Sequence, residues 1–176
     1  MCQNLKADVI TIAYRGFSQS DKAKPREEDF LKDVDAISNF FSQAVKEKKR
    51  TEEVETVLWG KSFGCATAIS SMHVRPDLYE SVILESPFTS VPAVFRSFVP
   101  YCGLGRLLAR ITHIKWPNDE RIGKIEAPIP FISGTKDNLT PNSMAHELHD
   151  KAKNCSRKEM YDIVGGKHNS LYRTDP

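Results

Sequence analysis

Three short stretches of this chain carry residue types that could do nucleophilic chemistry together. Gly60, Lys61, Ser62, Phe63 and Gly64 fit the pattern G-x-S-x-G. A serine hydroxyl is a poor nucleophile until a histidine takes its proton, and a carboxylate must orient that histidine. Downstream stand Gly134, Thr135, Lys136 and Asp137, and then Gly165, Gly166, Lys167, His168 and Asn169. Nucleophile, acid and base thus follow one another in the order Ser62, Asp137, His168. The chemistry such a set performs is acyl transfer through an ester on the serine. Each stretch also has an ordinary reading. The glycines can make a plain strand-to-helix turn, Asp137 can cap a turn with Asn138, and His168 can be a solvent-exposed histidine.

What raises the set above its parts is the pattern of elements around it. Residues 55–59 (ETVLW) form a short apolar run that leads into Gly60, and small residues from Cys65 to Ala68 follow the serine. This is the strand, sharp turn and helix that the serine motif requires. In that turn the serine backbone is strained, its neighbours must be small, and the helix aims its positive end at the hydroxyl. The main-chain N–H of Phe63 is then the expected donor to a developing oxyanion. Residues 127–133 (APIPFIS) read as a strand ending at the Asp137 loop, and residues 158–164 (KEMYDIV) as a strand ending at the His168 loop.

The remaining elements continue the rhythm. Residues 8–14 (DVITIAY) and 81–84 (SVIL) are further strand candidates. Leu31, Val34, Ile37, Phe41 and Val45 recur at spacings of three and four, one face of a helix over residues 28–48. Thr140 followed by Pro141 reads as an N-cap and first-turn proline opening another helix. Strand alternating with helix means parallel strands joined by right-handed crossovers. The class is α/β, a mostly parallel sheet of about five strands with helices on both faces. Residues 91–116 break the rhythm with a long apolar and aromatic stretch. It is expected to be a helical insertion, whose apolar part, residues 91–108, serves either as the wall or lid of an acyl pocket or as ordinary helical core.

Composition narrows the function classes. The chain has 176 residues, 40% hydrophobic and 27% charged, the balance of a globular protein long enough to bury a core. A net charge of +2 gives no footprint for a nucleic-acid partner. The basic run from Lys46 to Arg50 complements the carbonyl end of the preceding helix. Cys2, Cys65, Cys102 and Cys155 have no paired spacing and read as free thiols. His146 and His149 could share a metal ion, but no third ligand stands nearby, so surface histidines are expected and no metal or other cofactor is. His73 and His113 fall outside the strand-end loops. There is no run of eighteen apolar residues and no secretory or lipidation motif, so as written the chain is expected to be cytoplasmic.

The motifs resemble those of the α/β-hydrolase domain-containing serine hydrolases. The stretch Tyr14, Arg15, Gly16, Phe17, Ser18, Gln19 and Ser20 resembles their YRGYGxS turn, and GKSFG resembles their elbow. Residues 85–90 (ESPFTS), 132–137 (ISGTKD) and 166–169 (GKHN) resemble the next strand end, the acid loop and the histidine loop, in the family's order. The resemblance spans residues 8–172. It is strongest to a membrane-associated eukaryotic branch related to fission-yeast bud-emergence proteins, with much shared by the protein-depalmitoylating hydrolases. It implies an α/β-hydrolase fold and cofactor-free hydrolysis of carboxylic esters or thioesters through an acyl-serine, on a lipid or an acylated protein. It assigns Ser62 as nucleophile, His168 as base and acid, and Asp137 as the residue orienting it.

Members of that family carry three strands before the YRG turn, a loop giving a second oxyanion donor, and a helix after the histidine loop. Members of the closest branch often have an N-terminal membrane anchor. Residues 1–176 therefore read as one partial, N-terminally truncated domain. Loss of an oxyanion donor costs about a hundred- to a thousandfold in turnover, and loss of strands leaves a sheet edge open to pairing or aggregation. The alternative to a serine esterase is accordingly a catalytically weak or inactive remnant that acts as a binding protein. Substrate identity and oligomeric state are not written in the residues.

Overall fold

The computed structural model describes residues 7–16, 18, 20, 26–48, 53–98 and 114–172. Four strands among them form one parallel sheet in the order β1 (Val57–Lys61), β2 (Ser81–Glu85), β3 (Ile129–Gly134) and β4 (Lys158–Ile163). Helix α1 (Glu27–Lys48) precedes the sheet, and α2 (Phe63–Val74) connects β1 to β2. Helices α3 (Val91–Phe98) and α4 (Asn118–Arg121), with a short 3-10 turn at Ile122–Lys124, lie between β2 and β3; α5 (Asn142–Lys151) joins β3 to β4.

The strand register explains where the core sits. Leu58, Val82, Leu84, Phe131, Ile129 and Met160 share one face, and they pack against Cys65, Ala68, Ile69 and Met72 of α2 and Leu148 of α5. Because the strands run across the sheet in chain order, crossovers of one hand deliver every connecting helix to the same face. Helices α2, α4 and α5 do adjoin one another there. The other face, with Val57, Trp59 and Tyr161, is half open among the described residues. The expected covering of both faces is thus seen on one.

The first strand candidate in the chain does not pair. Residues 8–14 have no ladder partner, and Val9, Ile10 and Ile12 are exposed. A β-branched run becomes a strand only beside a complementary edge, and the described residues supply none next to it. Its end is nonetheless anchored. Tyr14 meets Phe30 edge-on at 5.7 Å, its hydroxyl lies 2.7 Å from Thr67 Oγ1, and Arg15 pairs with Asp33.

Helix α1 forms as its periodicity predicts, with Glu27, Glu28 and Asp29 in the first turn and Lys46 and Lys48 in the last. Its innermost stripe is rotated, however, to Phe30, Val34, Ser38 and Ser42. Two serines on that stripe allow a close approach to α2, and the larger Leu31, Ile37, Phe41 and Val45 flank it half-buried. Of the apolar stretch 91–116, only α3 and residues 114–116 fall among the described residues. Its two ends are pinned together, Val91 N–H donating to Lys115 O at 2.9 Å and Asn118 Nδ2 to Phe88 O at 2.9 Å.

Candidate active site

The three residues singled out by type and order converge at the carboxyl ends of three strands. His168 Nε2 stands 2.8 Å from Ser62 Oγ, and His168 Nδ1 stands 2.8 Å from Asp137 Oδ2. Ser62 follows β1 directly, Asp137 follows β3, and His168 follows β4. Parallel strands bring their ends to one edge of the sheet, so residues more than a hundred positions apart in sequence, Ser62 and His168, come into hydrogen-bond reach.

The serine is held by its backbone. Its φ of 52° and ψ of −116° lie where side chains are rarely tolerated. The conformation is fixed on both sides, Ser62 N–H donating to Glu85 O at 2.8 Å and Cys65 N–H to Ser62 O at 2.9 Å. Gly60 is needed for this turn, since a Cβ there would lie 2.6 Å from Gly64 O and 2.7 Å from Cys65 Cα. Gly64 faces open space, so of the two glycines expected to be obligatory only the first is enforced by contact. The thiol of Cys65 is buried and directed at Gly60 O and Glu85 O; burial pushes its pKa far up and leaves it an inert packing group.

Phe63 opens α2, so its N–H has no acceptor one turn back and is free in principle to receive a ligand oxygen. Its ring is locked by Phe30 at 5.1 Å and Trp116 at 5.5 Å, both edge-on. These rings belong to a second apolar cluster with Ala66, Phe88 and Met144, which supports the elbow from beside the sheet. Trp116 takes a positive φ of 43°, and the carboxylate of Glu27 accepts its main-chain N–H at 3.1 Å.

Asp137 makes contacts of two kinds through its two carboxylate oxygens. Asp137 Oδ1 accepts the N–H groups of Leu139 and Thr140, each at 2.9 Å, closing the turn. Oδ2 faces His168. Burial of Asp137 raises its pKa, but the Thr140 N–H, His168 and the Leu139 N–H together outweigh burial and leave it below the usual carboxylate value. An ionised Oδ2 calls for a proton on Nδ1 of His168, which leaves Nε2 as an acceptor for the Ser62 hydroxyl; the tautomer follows from this network.

The depressed pKa has a consequence for stability. The unfolded chain binds a proton at Asp137 near 3.8, while the folded chain binds it only at lower pH. The stabilisation is therefore complete above the unfolded value and is lost as pH falls through the folded one. Asp137→Asn is expected to be less stable than wild type at neutral pH, with the difference narrowing below about pH 4. Urea unfolding across that range checks it; a gap independent of pH would mean that Asp137 is not held ionised.

Thr140 is the residue that sequence reasoning placed wrongly. It does not cap α5, whose N-cap is Pro141 and makes no side-chain cap bond. Its hydroxyl instead lies 3.1 Å from Asp137 Oδ2, 3.2 Å from His168 Nδ1 and 3.2 Å from Ser86 O. The Asp137 turn draws that side chain inward before the helix begins. The acid and histidine loops are also tied together by main chain, with Lys136 N–H to Gly166 O at 2.9 Å and Thr135 N–H to Ile163 O at 3.1 Å.

Other candidates remain apart from this site. His146 pairs with Asp162 on the surface, and no group of His, Cys, Asp or Glu among the described residues is arranged to hold a metal ion. Cys65 and Cys155 are free thiols; Cys2, Cys102 and His113 lie outside the described residues. No helix among the described residues is long and apolar enough to cross a membrane.

Residues 3–119 match the family Hydrolase_4, described as serine aminopeptidase, S33. The chain belongs to this α/β-hydrolase family. The match includes Ser62 and ends before Asp137 and His168. An uncharacterized membrane protein of Saccharomyces cerevisiae, YNL320W, is 31% identical over 172 residues, 95% of this chain and 56% of its own length. The α/β hydrolase domain-containing protein WAV2 of Arabidopsis thaliana is 27% identical over 161 residues, 86% of this chain and 51% of its own. This α/β hydrolase chain thus spans about half the length of the curated relatives it matches. In three dimensions it superposes on the acylaminoacyl peptidase of Pyrococcus horikoshii with a TM-score of 0.65 at 16% identity, covering 92% of this chain and 27% of the other. That likeness is one of fold.

Proposed function

We propose that this chain is a serine hydrolase that cleaves carboxylic esters or thioesters through an acyl-serine intermediate at Ser62. The observation that carries the reading is the unbroken relay from Ser62 Oγ through both nitrogens of His168 to Asp137 Oδ2, each link 2.8 Å. In the first step Ser62 Oγ attacks the acyl carbon while its proton passes to His168 Nε2. The imidazolium formed is stabilised by Asp137, and the oxyanion faces the N–H of Phe63 at the positive end of α2. Collapse of the adduct breaks the bond to the alcohol or thiol, which leaves with the proton from His168. Water then adds to the acyl-serine with His168 as base, and the acid product departs as Ser62 regains its proton. The family description names a peptidase, and the same steps serve an amide, so paired ester and amide substrates separate the two.

A second reading is favoured by one observation. The N–H of Arg15, in the turn before α1, donates to Asp33 Oδ2 at 3.2 Å. The Arg15 amide is thus spent on α1, and among the described residues the N–H of Phe63 is the donor assigned to the oxyanion. On this reading the chain is a weak or inactive member of its family that acts as a binding protein.

Labelling with a fluorophosphonate probe separates the readings. Covalent labelling that disappears in Ser62→Ala and in His168→Ala is the expected result. A folded wild-type chain that takes no label favours the binding protein, and labelling that survives Ser62→Ala refutes the assignment of the nucleophile.

A further inference from the structure

The end of β2 holds a carboxylate that the relay does not use. Glu85 is 3% exposed, on the open face of the sheet, in register with Lys61 of β1 and Ile132 of β3. Its main-chain oxygen already accepts the Ser62 N–H. Its side chain reaches two further partners. Lys61 Nζ stands 2.8 Å from Oε1, an ion contact without the alignment of a hydrogen bond, and the Tyr172 hydroxyl donates to Oε2 at 3.1 Å. Lys61 immediately precedes the serine, and Tyr172 lies four residues beyond His168.

We propose that Glu85 is a positioning residue which, through Tyr172, ties the exit of the His168 loop to the strand end supporting Ser62, and so holds His168 in reach of the hydroxyl. This deepens the hydrolase reading and rests on it for its catalytic part. Three considerations carry it. Burying a carboxylate is costly unless its oxygens are engaged, and an apolar side chain beside Ile132 would pack at less cost. The partners engaged are the neighbours of the proposed nucleophile and base, not of some distant element. The loop between them is short and stiff, with Ser170 N–H donating to Lys167 O at 3.1 Å and Leu171 buried, so fixing Tyr172 fixes His168. Burial, together with the nearby Glu85 charge, pushes the Tyr172 phenol up to about 12, which keeps it a donor at neutral pH.

The test uses Tyr172→Phe, Glu85→Ala and Glu85→Gln in the full chain, read in two ways. Amide hydrogen exchange follows the loop N–H groups of Gly166 and Ser170 against Ser86 N–H, which is bonded to Ile132 O in the sheet. Fluorophosphonate inactivation is resolved into its maximal rate and its half-saturating concentration. Tyr172→Phe and Glu85→Ala are expected to speed exchange at Gly166 and Ser170 about tenfold while Ser86 stays protected. Both should lower the maximal rate about tenfold at unchanged half-saturation, because a misplaced base slows chemistry rather than binding. Glu85→Gln keeps an acceptor for Tyr172 and should stay within about threefold of wild type. Unchanged loop exchange overturns the tether, as does equal acceleration at Ser86, which would mean a general loss of stability. A loosened loop with an unchanged maximal rate overturns the positioning of His168. A loosened loop in a chain whose wild type takes no label supports the tether and sinks the hydrolase reading instead.

Discussion

Replacing Ser62 with glycine is expected to abolish turnover and, at the same time, make the chain more stable than wild type. The two effects come from one geometry. Ser62 is held at φ 52° and ψ −116°, a conformation that glycine adopts without the clash a Cβ creates. Relief of strain in such regions is worth about 1–3 kcal/mol, and the added backbone entropy of glycine in the unfolded chain takes back about 0.5–1 kcal/mol. A net gain of about 1 kcal/mol should appear as a raised urea midpoint at unchanged slope. Turnover, if the relay acts as proposed, should fall about 10⁴-fold or more because no hydroxyl remains. Ser62→Ala is the necessary comparison. It removes the same hydroxyl but keeps the Cβ, so it should lose activity equally without the full gain in stability. Equal stability of the two variants would show that the elbow is not strained, and the case for a backbone bent in order to present the hydroxyl would fall with it.

How much of this was legible in the sequence depends on whether a feature is local. The elbow was readable because a sharp turn between a strand and a helix imposes its residue types within five positions. The Asp137 and His168 loops were readable as strand-end loops because each follows an apolar run of strand length. Thr140 was not. Its side chain is diverted by the turn that Asp137 closes, and a threonine before a proline carries the stronger local signature of a helix cap. Glu85 and Tyr172 were invisible for a related reason, since their contact spans 87 positions and joins a strand end to a loop exit. Residues 8–14 show the limit from the other side. Their β-branched composition is a genuine preference, but pairing is a property of the neighbouring edge. The serines on the inner stripe of α1 likewise follow from the approach of α2, which periodicity counted on apolar residues cannot register.

The acid and histidine loops also share a point of near contact at Gly134, and substitution there is expected to damage fold and site together. A Cβ on Gly134 would collide with the carbonyl oxygen of Gly166, and would come within 2.6 Å of its carbon and 2.9 Å of Leu171 Cδ1. Two of those atoms are backbone, which cannot swing aside as a flexible side chain can. Gly134→Ala must therefore push the segment before His168 away from the end of β3, against the bonds that Lys136 and Thr135 make across the same gap. Overpacking of this kind costs about 1–3 kcal/mol. If His168 is the base as proposed, the loss of activity should be larger than the stability loss suggests, because displacing a base by roughly 1 Å costs on the order of a hundredfold in rate. Gly64→Ala is the matched control. It adds the same methyl group within the elbow where nothing stands within 4 Å, and it should leave the unfolding free energy within about 0.5 kcal/mol of wild type. Should Gly134→Ala prove as stable as that control, the close approach of the two loops would not be what holds Asp137 and His168 together. The main-chain bonds and the Tyr172 tether would then have to carry the whole of that task.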